Sequence, residues 1–178
     1  MTFELFVTLS TLDRMAALAQ YDLEDPLLRE QLDALCARTS ARLGMPMSTT
    51  SVVLDTAQYF VGFHGLTGWV AEVGGTPAEW AFCAHAVVAG QPLYVVSDAT
   101  THPAHRDSPL VTQEGQRSYA GAAIYAPDGQ ILGMQCVVDT HPHQFTEVEL
   151  GLLTTAAGEA SSILEASRAS TGTVRTGS

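Results

Sequence analysis

Leucine recurs at positions 28, 32, 35 and 43, with Thr39 in the same stripe and Arg and Glu set between. Apolar residues at this spacing share one face of an α-helix. Asp25-Pro26 predicts its start, because Asp caps free backbone N–H groups and Pro fits the first turn. Gly44 and Pro46 predict its end. A shorter helical pattern, Leu12 to Leu18, precedes it. The period then changes. "SVVLDT" (51–56) and "QYFVGFHG" (58–65) read as strands joined by a hairpin turn over Asp55 to Gln58. Residues 65–79 are Gly-rich and predict a loop with one helical turn. "EWAFCAHAVVAG" (79–90) is apolar and stops at Gly90, which predicts a short, largely buried helix. "PLYVVSD" (92–98) predicts a strand, and the aperiodic stretch 99–117 a long loop with room for one helical turn. The clearest hairpin pairs "SYAGAAIYA" (118–126) with "ILGMQCVVD" (131–139) around Pro127-Asp128-Gly129. Thr146 and Glu149 stand at capping-box spacing before a helix predicted to reach about Ser167. The small polar residues 168–178 predict a disordered tail.

This order predicts an α+β domain with one antiparallel sheet and flanking terminal helices. The expected divisions are an N-terminal helical extension (1–24), the domain (25–167) and the tail (168–178). A chain of 178 residues has material for one core and not for two. No apolar run reaches membrane-spanning length. The first twenty residues carry an early acid and no basic region, so a signal peptide is not expected and a cytoplasmic protein is.

Charge narrows the function classes. The net charge is −11, and all eight basic residues are arginine. Without lysine there is no Schiff-base, P-loop or kinase-type lysine chemistry. Nucleic acid and anionic membrane surfaces are not expected partners, because both need a basic face. Cys36, Cys83 and Cys136 are far apart and odd in number, which argues against a disulfide framework.

Three phrases carry a family resemblance: "FCAHAVVAGQPLYVVSDATTHPAHRDSPLV", "RSYAGAAIYAPDGQILGMQCVVDTHPHQFTEVELGLL" and the earlier "SVVLDTAQYFVGFHGL". Together, over about residues 26–165, the chain resembles the GAF domain family. The resemblance implies a six-stranded antiparallel sheet with the terminal helices on one face. On the other face it implies a small-molecule pocket closed by the short helix and the long loops. GAF domains sense cyclic nucleotides, bilins, haem-bound gases, metals or metabolites, and a few are enzymes. They are commonly dimeric through their terminal helices and attached to an output domain. No such domain fits in the remaining length, so a free-standing domain is expected. Departures from the family narrow its ligands. The cyclic-nucleotide signature needs a lysine that this chain lacks. The bilin pattern places Cys directly beside His, whereas Ala84 intervenes here, and its aspartate-isoleucine-proline motif is missing. The free methionine sulfoxide reductases of this fold use several cysteines, with which Cys83 and Cys136 have no firm alignment.

The resemblance makes His64, Trp69, Trp80, Phe82, Cys83, His85, Asp98, Arg117, Tyr119 and Cys136 the candidate pocket residues. Each also has a plainer reading. Cys83 and Cys136 pack as small hydrophobes, Asp98 caps the turn that follows it, and the aromatics belong to the core. On a helix, positions 83 and 85 point about 200° apart, so they make a poor nucleophile–base pair. His102, His105, His141 and His143 read as solvent-facing loop residues. No cofactor is required. A metal or haem would draw on His64, Cys83, His85 or Cys136. Three functions therefore stay open: a small-molecule sensor or accessory regulator, a GAF-fold enzyme using a Cys/His or metal centre near residues 64, 83, 85 and 136, and an interaction module with an empty pocket. A homodimer is expected through the stripe Leu28, Leu32 and Leu35 together with Leu150, Leu153 and Ile163.

Overall fold

The computed structural model describes residues 1–171, with side chains through Arg168. Helices α1 (Phe3–Leu9) and α2 (Leu12–Leu18) come first. The second matches the helical pattern in the sequence, and the first was not anticipated. Helix α3 (Pro26–Leu43) starts where the Asp-Pro pair predicts. The Asp25 carboxylate accepts a hydrogen bond from the Leu27 N–H at 2.9 Å, and Gly44 ends the helix at φ 62°.

Strand β1 spans Met47–Val53 and β2 spans Ala57–His64. The first strand begins four residues before the position expected at Ser51. Its start, Ser48, Thr49 and Thr50, is polar yet buried, so hydrophobic alternation does not mark it. The Gly-rich segment holds more than a loop: helix α4 (Gly68–Val73), edge strand β3 (Gly75–Pro77) and a 3₁₀ turn, Ala78–Trp80. Helix α5 (Phe82–Ala89) and β4 (Leu93–Val96) follow. The long loop carries one helical turn, α6 (Pro109–Thr112). Strands β5 (Ser118–Tyr125) and β6 (Ile131–Asp139) form the predicted hairpin.

Helix α7 (Glu147–Thr171) opens on a formed capping box. The Thr146 N–H donates to Glu149 Oε2 at 2.7 Å, and the Glu149 N–H donates to Thr146 Oγ1 at 3.2 Å. The helix runs four residues past Ser167, into the stretch expected as tail. The rest of that expected tail, 172–178, lies outside the described residues.

The six strands form one antiparallel sheet in the order β3-β2-β1-β6-β5-β4. Helices α3 and α7 cover one face with a leucine-rich core. Helix α5 covers the other, joined by Leu5 and Leu9 of α1. This is the α+β arrangement expected, a six-stranded antiparallel sheet with the terminal helices on one face and a cavity on the other. From α2 the buried Arg14 guanidinium donates to the carbonyls of Leu9, Val53, Ile131 and Leu132, which pins the N-terminal helices to the sheet end. Burial pulls its pKa down to about 10.

Most of the stripe expected at a dimer surface is spent inside the fold, with Leu150 and Ile163 partly buried against the same core. Leu28, Leu32, Leu35 and Leu153 are all 2% exposed or less, because the helical layer needs them against the sheet. What α3 and α7 leave outside is Leu27, Val148 and Leu152, 60%, 73% and 37% exposed. Among the described residues no helix is long and apolar enough to cross a membrane.

Candidate functional site

Helix α5 lies over the middle of the sheet, and one row of the sheet meets it. Thr49 of β1 pairs with Cys136 of β6, and Cys136 with Gly121 of β5. A side chain at Gly121 would take the place that the Tyr119 hydroxyl occupies. That hydroxyl shares a hydrogen bond with Cys83 Sγ at 3.2 Å. On the other side of Cys136, Thr49 Oγ1 lies 2.8 Å from its Sγ and 3.1 Å from Ser51 Oγ. The Phe82 ring stacks on Tyr119, with centroids 5.1 Å apart and planes 11° apart. Phe82, Cys83, Tyr119 and Cys136 thus converge, and all four line a cavity beneath α5.

Gln58 and Phe60 of β2, Thr76 of β3, and Leu110 and Gln116 of the long loop complete much of the wall. The cavity volume is ≈ 20 Å³, room for about one water molecule. Its wall holds no Arg, Lys, Asp, Glu or His. Two polar atoms there, Gln58 Oε1 and Thr76 Oγ1, are buried with no hydrogen-bond partner. Sequence reasoning missed both. Thr76 sits in an edge strand hidden by glycine, and Gln58 sits where the hairpin turn was expected.

The thiols and the phenol interact. Burial pushes the Cys83 thiol up, but hydrogen bonds to its thiolate from Cys136, Tyr119 and Ser51 outweigh that and hold it below its ordinary value. The hydrogen bond with Cys83, together with burial, pushes Cys136 well up. Burial and the two neighbouring thiols likewise push the Tyr119 phenol up.

The other sequence candidates lie elsewhere. His85 turns away from Cys83, as helical spacing requires. Its Nδ1 lies 3.1 Å from the Ala81 carbonyl, and its ring meets His105 edge-on at 4.8 Å. His64 is exposed at the end of β2. Trp69 and Trp80 meet edge to face at 6.0 Å, and Trp69 Nε1 donates to Glu114 at 2.6 Å, tying α4 to the long loop. Asp98 accepts from the Thr100 N–H and hydroxyl, the turn-capping role expected on plain grounds; the same bonds lower its pKa. Arg117 donates to the carbonyls of Val111 and Gln116 and so braces the loop.

One histidine expected in solvent is fully buried. His105 packs against Phe82, His85 and His102, and its Nε2 lies 2.8 Å from the Tyr94 hydroxyl. Burial, followed by the neighbouring His85 and His102, pulls its pKa down to about 3. Loop position hid this, because the long loop folds under itself and over α5. Among the described residues no three His, Cys, Asp or Glu side chains are grouped to hold a metal ion.

The GAF domain family model matches residues 27–164. A cyclic di-GMP phosphodiesterase of Pseudomonas aeruginosa is 32% identical over 130 residues, covering 72% of this chain and 21% of that protein. The chain therefore spans about a fifth of that relative's length. Among solved structures, the GAF domain of a phosphoenolpyruvate-protein phosphotransferase from Coxiella burnetii superposes with a TM-score of 0.68 at 18% identity, covering 90% of this chain and 98% of that one. A free methionine-R-sulfoxide reductase from Neisseria meningitidis, in complex with its substrate, gives 0.63 at 22% identity, covering 78% of each chain. At these identities the two structures speak to the fold alone.

Proposed function

The chain belongs to the GAF domain family, and we propose that it is a sensory domain whose input is a small uncharged molecule held beneath α5. Its output is the regulation of another domain or protein. One observation carries this reading. Gln58 Oε1 and Thr76 Oγ1 are buried, line the same cavity and lack partners. Leaving such a group unpaired costs about 1–3 kcal/mol, and a ligand N–H or O–H restores the bond. The uncharged wall favours a neutral ligand over a phosphate-bearing one. The stacked Phe82 and Tyr119 offer an apolar surface to its body. Because the cavity is so small, α5 or the α4–β3 segment moves outward to admit the ligand, and that population shift is the signal.

Native mass spectrometry of freshly purified protein, read beside Thr76→Val and Gln58→Leu, tests the proposal. The expected result is a copurified neutral organic mass in the parent that both variants lack. A parent that carries no such mass, and whose melting temperature no compound in a panel of uncharged heteroaromatics raises, overturns it.

The setting is proposed on separate grounds. Three buried, free cysteines favour a reducing, cytoplasmic compartment. Exposed Leu27 and Val148 on the α3–α7 layer favour a homodimer, which light scattering at micromolar concentration reads. The net charge of −11 disfavours nucleic acid and anionic membranes as partners.

A further inference from the structure

We propose that Cys83 and Cys136 are a peroxide-sensitive thiol pair, converted reversibly to a disulfide that ties α5 to the sheet. The inference goes beyond ligand sensing and stands on the geometry beneath α5. Three observations bring the two sulfurs to the same part of the cavity. Cys136 faces the cavity from β6, with Gly121 beside it in register. The space that Gly121 leaves free holds the Tyr119 hydroxyl. Cys83 Sγ reaches down from α5 to that same hydroxyl at 3.2 Å. Both thiols are 1% exposed and line one cavity.

The groups around the pair suit the chemistry. The thiolate is the reacting form of cysteine. The Tyr119 hydroxyl, 3.2 Å from the Cys83 sulfur, can donate to its thiolate, the form that Cys83 favours more than Cys136 does. Cys83 is therefore the attacking sulfur. Hydrogen peroxide is an oxidant small enough for so confined a space. The Cys83 thiolate attacks one peroxide oxygen, and the O–O bond breaks. The departing hydroxide takes up a proton and leaves as water, with Cys83 now a sulfenic acid. The Cys136 sulfur then attacks the Cys83 sulfur, the S–O bond breaks, and the hydroxide leaves with the Cys136 proton as a second water. Two thiols lose two electrons, and one peroxide becomes two waters. A dithiol reductant reverses the step by thiol–disulfide exchange.

Cys36 serves as an internal control. It is equally buried, but it lies on the opposite face of the sheet, 3.4 Å from Thr50 Oγ1 and 3.7 Å from Gln135 Nε2.

The test treats the folded protein with hydrogen peroxide, denatures it in an alkylating agent and maps the peptides. The expected product has lost the mass of two hydrogens. It carries a Cys83–Cys136 crosslink, retains an alkylated Cys36, and reverts with dithiothreitol. The Cys136→Ser variant should instead accumulate a sulfenic acid at Cys83 that dimedone traps. Equal oxidation of Cys36, or a parent protein that leaves Cys83 and Cys136 fully alkylated, overturns the proposal. So does a Cys136→Ser variant that is folded by circular dichroism yet takes up no dimedone. Failure to find a copurified ligand leaves the crosslink result untouched, so the two proposals fail separately.

Discussion

Two faces of one strand carry the same residue types and have opposite fates. Ser48 and Thr50 point from β1 toward the α3–α7 layer, and Thr49 and Ser51 point toward α5. On the first face the polar groups close on one another. Thr50 bonds Gln135, Gln135 donates to Ser48 and Cys36, and Ser48 donates to the Cys136 carbonyl. On the second face Thr49 bonds both Ser51 and Cys136, but Gln58 of β2 and Thr76 of β3 end without partners. The covering layers differ too. Long helices α3 and α7 seal the first face, whereas the eight-residue α5 and irregular segments cover the second. A sheet can thus bury hydroxyls and thiols on both sides, one as fixed scaffold and the other as an adjustable site.

The largest expected effect breaks the sealed face. Leu32→Ala removes a side chain that is 0% exposed and should cost about 2–5 kcal/mol in urea unfolding. Close behind comes Gly62→Ala. Its new methyl would press on the backbone of α3 at Leu32 and Asp33, a rigid neighbour, and overpacking of this kind costs about 1–3 kcal/mol. A loss below 0.5 kcal/mol (about the scale of a surface substitution) in either variant would show that the helical layer is less tightly sealed than the contacts imply.

The sharpest test of the comparison is a difference of sign. Thr50→Val strands Gln135 Oε1 inside the sealed network and should cost about 1–3 kcal/mol. Thr76→Val deletes an already orphaned hydroxyl, so ligand-free protein should be as stable as the parent or more so. Equal destabilisation by both substitutions removes the distinction between the faces.

Acid should act on the cavity side. The folded pKa of His105 is lowered to about 3, against about 6.5 for an unperturbed imidazole. The unfolded chain therefore binds a proton that the folded one refuses. Stability from this group is complete above about pH 6.5 and declines as pH falls toward 3. The slope it adds approaches about 1.4 kcal/mol per pH unit. Chemical denaturation between pH 7 and 5 should show that decline in the parent and a flatter profile in His105→Gln. Profiles that match would mean that His105 takes up its proton in the fold. The smallest expected loss of stability is that of Cys83→Ser, about 1 kcal/mol by thermal unfolding, with the fold kept.

Much of the fold was legible because its signals are local. Asp25-Pro26 and Gly44 bound α3, Thr146 and Glu149 open α7, and Pro127-Asp128-Gly129 turns β5 into β6, each within a few residues of chain. The misses are elements whose support is remote. The start of β1 is polar because its partners, Gln135 and Cys136, lie almost ninety residues away. Edge strand β3 is a three-residue Gly-Thr-Pro stretch that exists only by pairing with β2. At the site, Phe82, Cys83, Tyr119 and Cys136 were named in advance and meet. His64, Asp98 and Arg117 were named on the same grounds and do not line that cavity.

What the sequence by itself determined is the order of the main elements, the antiparallel hairpin, the amphipathic helices, and the chemistry ruled out by a chain with no lysine and a net charge of −11. Capping, turn propensity and periodicity act over a few residues, and charge acts by sum, so neither needs the fold in order to be read. Only the tertiary structure decided that Cys83 meets the Tyr119 hydroxyl above Cys136, that His105 is buried, and that Gln58 and Thr76 face a cavity without partners. Those facts depend on which strand lies beside which and on how closely α5 sits on the sheet. Side-chain direction and desolvation are properties of assembled layers, and no stretch of the chain carries them alone.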